Sequence, residues 1–196
     1  MTSRRSFLCL AGRAVVATAA TSALCACGNL NWVWDEPPRR KLGARIDDGS
    51  PRVLNLAHRS GEHVEQVYKV AGTYRRDALR EIEFMLRDRE AEQVAVIDLR
   101  LLDVLAELQE TFGPGRPIEV LSGFRSERTN AKLRQRNRNA ARNSLHTRGQ
   151  AVDIRIPGVD RREIFEAAAE LKAGGVGLYR GESFVHVDVG PVRTWT

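Results

Sequence analysis

Beyond Cys27 the chain has no cysteine: Cys9, Cys25 and Cys27 are the only three in 196 residues. If the first 27 residues are removed, no internal disulfide can form, so the fold must rest on its core or on a metal. Those 27 residues also lack any acid, although they carry Arg4, Arg5 and Arg13. Long apolar runs are missing too. Arg13 interrupts the most hydrophobic stretch, and a membrane-spanning helix needs about 20 apolar residues. Histidine is scarce, with four in the chain, so any histidine cluster carries information. No internal repeat is visible. Hydrophobic residues make up 42% and charged residues 29% of the chain, a balance that supports one ordinary core.

A basic, acid-free start with an apolar centre and small residues near its end reads as an export signal. The stretch SRRSFLCLAG (Ser3 to Gly12) looks like the twin-arginine type, an address read by export machinery. An N-terminal amphipathic helix is the competing reading. LCAC (Leu24 to Cys27) resembles a lipoprotein box with Cys27 as the lipidated residue, and ordinary cleavage nearby stays open beside it. The expected location is the periplasm or cell envelope, with the membrane reached only through lipid on Cys27.

The formal net charge is +6. Of 31 basic residues three lie in the signal, which leaves 28 against 25 acidic residues. The basic stretch LRQRNRNAARN has no aromatic residue for base stacking. Export and this composition together exclude nucleic acid as the expected partner. Arg134, Arg136, Arg138 and Arg142 suit either an acidic wall polymer or, with more weight for most of them, a solvated helix face.

Three parts follow from the pattern: a signal over 1–27, a Pro- and Gly-bearing linker over 28–51, and a domain over 52–196. Alternating runs around Ser60-Gly61 predict a hairpin. Ala78, Ile82, Met85 and Leu86 mark one amphipathic helix, and Leu101, Leu102, Leu105 and Leu108 mark a second that stops at Gly113. PIEVLSG reads as a strand, Ser126 opens a helix, QAVDIRI is a strand, and Asp160 caps a further helix. GGVGLY and SFVHVDVG close the chain as two strands. The fold class is α+β, a small antiparallel sheet flanked by helices.

Chemistry concentrates in two strands. In SFVHVDVG the alternation puts Val185, Val187 and Val189 on one face and His186 with Asp188 on the other. In SLHTRGQAVDIRI it puts Val152, Ile154 and Ile156 on one face and Asp153 on the other. A lone carboxylate in an apolar strand is costly, and pairing it with a cation removes that cost. If the two strands are neighbours, Asp153 and His186 meet, and His146 folds over to join them. Two imidazoles and one carboxylate form a three-ligand zinc set with a fourth position open, the catalytic pattern rather than the structural one. Each pair alone is a weak signal, since His and Asp seven apart arise often by chance. Arg125, just past the PIEVLSG strand, is a third element. Its fork of donors suits a carboxylate or a polarised carbonyl, and a surface ion pair with Glu127 is the plain alternative. His58 and His63 read as surface or groove residues.

Taken together, SGFRS, TN, SLH, AVDI, GGVG and FVHVDVGPVR followed by Trp195 resemble the zinc D-Ala-D-Ala carboxypeptidase-like superfamily. Its fold is shared with lysostaphin-type and hedgehog-type domains. The pattern is most similar to the exported murein endopeptidase branch, formerly a domain of unknown function, and runs from about Arg52 to Trp195. The resemblance implies one Zn2+ per chain on His146, Asp153 and His186, with Arg125 binding substrate or stabilising the oxyanion. It implies hydrolysis of amide bonds in peptidoglycan peptides, most readily at cross-links. A D-Ala-D-Ala-type carboxypeptidase and a non-catalytic wall-binding module remain as alternatives. For the general base, carboxypeptidase members place a glutamate three residues before the last zinc histidine. Ser183 stands there and Glu182 lies one residue further back; Asp188, which shares a face with His186, is slightly favoured as the base or as a carboxylate that orients His186, with Glu182 left open.

Overall fold

The computed structural model describes residues 49–137 and 141–196. The expected signal over 1–27, the linker as far as residue 48 and Arg138 lie outside the described residues.

The hairpin forms where the alternation predicts it: β1 (Arg52–Ala57) pairs antiparallel with β2 (His63–Val70), and the short β3 (Thr73–Tyr74) follows. Helix α1 (Arg76–Met85) buries Ala78, Ile82 and Met85, the predicted stripe. Helix α2 (Leu99–Phe112) is capped by Asp98, whose side chain accepts from the Arg100 N–H, and it stops at Gly113, where φ is 111°. Strand β4 (Ile118–Ser122) leads to α3 (Glu127–Arg136), whose N-cap Ser126 accepts from the Thr129 N–H. A 3-10 turn (Leu145–Arg148) precedes β5 (Ala151–Arg155), and α4 (Arg161–Glu170) starts at its expected cap, Asp160. Strands β6 (Gly175–Leu178), β7 (Val185–Asp188) and β8 (Arg193–Trp195) end the chain.

The eight strands form one sheet in the order β3-β2-β1-β4-β5-β7-β6-β8. It is largely antiparallel, as expected, with parallel pairings where β1 meets β4 and β6 meets β8. Leu54, Leu56, Ile118, Val120, Val152, Ile154, Val185 and Val187 are all buried and share a core with Ile82, Leu101, Leu105, Leu108 and Ile164 of the helices. Strand alternation then sends Asp153, His186 and Asp188 to the opposite face. Helices α1, α2 and α4 thus anchor the sheet from one side, and the polar residues gather on the other.

Candidate metal centre

Strands β5 and β7 are sheet neighbours, and their register sets Asp153 directly opposite His186. His146 arrives from the 3-10 turn. That turn ends at Gly149 in the left-handed conformation (φ 65°), and a Cβ there would lie 2.3 Å from the Val96 carbonyl oxygen. Both constraints demand glycine. The chain therefore reverses in a fixed way and lays the His146 ring over the β5–β7 pair.

The three side chains converge closely. His146 Nε2 is 3.3 Å from His186 Nδ1 and 3.3 Å from Asp153 Oδ1, and His186 Nδ1 is 2.9 Å from Asp153 Oδ1. Ligand atoms about 2.0–2.1 Å from a small tetrahedral ion lie about 3.3 Å from one another. The three distances therefore trace one face of such a coordination tetrahedron, and the fourth vertex is left for another ligand.

The outer nitrogens of both rings fit the same reading. His146 Nδ1 lies 2.7 Å from the Gly123 carbonyl, and His186 Nε2 lies 3.1 Å from Asp188 Oδ2. Each outer nitrogen has an acceptor for its proton, so with a cation in place His146 Nε2 and His186 Nδ1 can turn their lone pairs inward. With no cation between them, burial would raise the Asp153 carboxyl, but positive charge and hydrogen-bond donation from His146 and His186 outweigh it and hold it well below the usual carboxylate range. The chemistry of this donor set suits a divalent cation.

Asp188 is wholly engaged. Its Oδ1 accepts from the Gly175 and Gly190 N–H groups at 2.9 Å each and from Arg193 at 3.3 Å. Its Oδ2 accepts from His186 and, at 2.7 Å, from Arg193. Its side chain has 0% exposure. Burial opposes its ionisation, yet these donors hold its carboxyl well below the usual range. The alternation placed Asp188 beside His186 correctly. Composition and periodicity did not point to Arg193, although it stands inside the quoted FVHVDVGPVR stretch.

Arg125 does not pair with Glu127. One guanidinium nitrogen donates to Ser122 Oγ at 2.8 Å and reaches Asp153 Oδ2 at 3.5 Å. Its backbone N–H donates to the His146 carbonyl at 3.1 Å, which ties the β4–α3 corner to the 3-10 turn. The ligands, Arg125 and Glu182 line one open cavity of about 650 Å³. Glu182 is exposed, on the loop between β6 and β7. Tyr179, Phe184 and Trp195 form an aromatic wall beside it, with the Trp195 ring centroid 5.3 Å from that of His186. His58 and His63 lie outside this cluster. His58 lines a neighbouring groove, and His63 bonds to Asn55.

The family model described as peptidoglycan L,D-endopeptidase MepK matches residues 47–195. The chain belongs to this family. The peptidoglycan L,D-endopeptidase MepK of Escherichia coli (strain K12) is 38% identical over 153 residues, which cover 78% of this chain and 84% of that protein. The MepK of Shigella flexneri shows the same identity and coverage. The probable peptidoglycan L,D-endopeptidase MepK of Haemophilus influenzae is 36% identical over 154 residues, 78% of this chain and 83% of its own length. The resemblance read from the motifs is thereby borne out for this branch, and the MepK match spans every strand and helix described above.

Proposed function

We propose that the protein is an exported zinc peptidase that hydrolyses peptidoglycan peptides, acting as an endopeptidase on an L–D linkage. The observation that carries this reading is the His146–Asp153–His186 face with its open fourth position, in a chain whose relatives are named L,D-endopeptidases. Zinc is the ion that two imidazoles and one carboxylate favour, and when bound it supplies Lewis-acid polarisation of a carbonyl and acidifies water near neutral pH. Arg125, anchored on Ser122, offers its remaining donors to the substrate carbonyl or a substrate carboxylate. Asp188 has no free lone pair or solvent access with which to shuttle a proton, so its role is to orient His186. Among side-chain carboxylates lining the cavity, that leaves Glu182 to take a proton from the attacking water and return it to the leaving amine. Ser183 at the carboxypeptidase glutamate position favours an endopeptidase over a carboxypeptidase.

The 1–27 segment is proposed as the twin-arginine address, removed or lipidated at Cys27, and 28–51 as the linker to the 52–196 domain. Peptidoglycan is the proposed partner, in the periplasm. The deciding experiment is digestion of isolated peptidoglycan with zinc-loaded mature protein, with products identified by mass. New ends at an L–D linkage are expected, and His186→Ala should yield none. Digestion by His186→Ala at the wild-type rate would refute the ligand set.

A further inference from the structure

A second groove opens beside the metal cavity. The β1–β4 pairing ends at Ala57 opposite Glu119, where β1 itself ends while β4 runs on to Ser122. The gap, about 660 Å³, is floored by Val120–Ser122 and walled by the β1–β2 turn, the segment after α1 and one side of α3. Arg125 and Leu133 line both this groove and the metal cavity, so the two are continuous.

The groove is basic. Arg59, Arg87, Arg89, Arg125, Lys132 and Arg136 line it. Some of this charge is answered locally. Glu62 pairs with Arg87 at 3.0 Å and with Arg89, and Lys132 pairs with Glu90. Asp88 spends its carboxylate on the Ser126, Glu90 and Ala91 N–H groups. Arg59 and Arg136 are exposed and have no ion-pair partner among the described residues. Arg59 stands on the β1–β2 turn and Arg136 at the end of α3. Arg59 also acts through its charge on Glu119, a carboxylate already paired with Arg155. Two exposed guanidiniums without an ion pair, lining a groove that leads to a hydrolytic centre, suit an extended peptide bearing carboxylates, because guanidinium binds carboxylate through paired donors.

We propose that this groove is a carboxylate-binding subsite for the anionic peptide on one side of the scissile bond, with Arg59 and Arg136 as its specificity residues. The inference rests on the peptidase reading above and extends it to the substrate's charge. Of the arginines on and after α3, Arg136 enters the groove, whereas Arg134, on the same helix, is exposed and lies outside it.

The test compares the zinc-loaded wild type with the double variant Arg59→Glu/Arg136→Glu on soluble cross-linked muropeptides. Arg134→Glu is the control for bulk charge. The double variant should raise KM at least about tenfold with kcat little changed, the signature of lost ground-state binding. Arg134→Glu should match the wild type. Both target residues are exposed, and unchanged circular dichroism and melting temperature would confirm folding. A second arm uses calorimetry on the metal-free protein with an uncross-linked stem tetrapeptide and its carboxylate-amidated form. The free acid should bind more tightly, and the double variant should erase that preference.

If the wild type hydrolyses muropeptides and the double variant keeps its KM, the groove is overturned and the peptidase reading stands. If the wild type hydrolyses nothing, the peptidase reading falls, and calorimetry alone decides the groove: equal binding of free and amidated peptide overturns it as well.

Discussion

Under the proposed function, burial divides labour between Asp188 and Glu182, two carboxylates close in sequence. Asp188, on β7, accepts from His186, Arg193, Gly175 and Gly190 and is sealed from solvent. Glu182 is exposed on the rim of the same cavity. Asp188→Asn places an amide N–H₂ or a weakened acceptor against His186, so it should lower zinc affinity about 10- to 100-fold, measured by competition with a chromophoric chelator. Glu182→Gln should leave that affinity unchanged and lower kcat at saturating zinc by about 10²- to 10⁴-fold. The reverse pattern would exchange the two roles. The convergence of His146, Asp153 and His186 was legible from the sequence. Strand alternation fixes a side chain's face without any knowledge of the fold, and it put His186 and Asp188 together. What alternation cannot show is which groups arrive from elsewhere in the chain. The Gly123 carbonyl that fixes the His146 ring is backbone and carries no sequence signal. Arg193 reaches Asp188 only because β8 turns back beside β6.

At the scale of elements, segments with a stripe, a cap, alternation or a turn signal were legible and the shortest pieces were not. Helices α1 to α4 and strands β1, β2 and β4 to β7 follow from such signals. Strand β8 has three residues, too few for a period, and its parallel pairing with β6 is purely tertiary. His146 was expected to fold in from a loop, and its 3-10 turn depends on Gly149 meeting the Val96 carbonyl, a contact between distant segments. The corner that carries Arg125 is held similarly. Asp88, past the end of α1, accepts from the Ser126 N–H at 2.8 Å and from the Glu90 and Ala91 N–H groups, locking α3 to the chain after α1. Burial opposes ionisation of Asp88, but its hydrogen bonds with Ser126 prevail and lower its pKa to about 2. A lowered carboxylate pKa contributes stability that is fully present above the unfolded value of about 4 and is lost as pH falls through about 2. Asp88→Asn should therefore cost about 1–3 kcal/mol at pH 7 in urea unfolding. The gap to wild type should narrow between about pH 4 and pH 2, because the wild-type carboxylate is itself then protonated.

For the whole molecule, the metal should act as a structural tie as well as a reactant. His146, Asp153 and His186 come from three stretches of chain and meet on the face of the sheet opposite the core. With no cysteine beyond Cys27, the domain has no disulfide to hold these stretches together. Asp153 is 7% exposed, and among the described residues its ionised form leans on two imidazoles and a distant contact to Arg125. An ion that binds the folded ligand set and not the unfolded chain stabilises the fold by mass action, about 2.7 kcal/mol at free zinc one hundred times Kd. For a chain of this size each kcal/mol moves the melting temperature by about 2–4 °C. Chelation should therefore lower Tm by about 5–10 °C in calorimetry, and added zinc should restore it. In Asp153→Asn the carboxylate that draws the ion is gone, so its Tm should be lower than that of the zinc-loaded wild type and insensitive to chelator. The groove variants at Arg59 and Arg136 should keep the full zinc-dependent shift, because their side chains touch none of the three ligands. That contrast separates the tie that holds the sheet face together from the charge that selects what is brought to it.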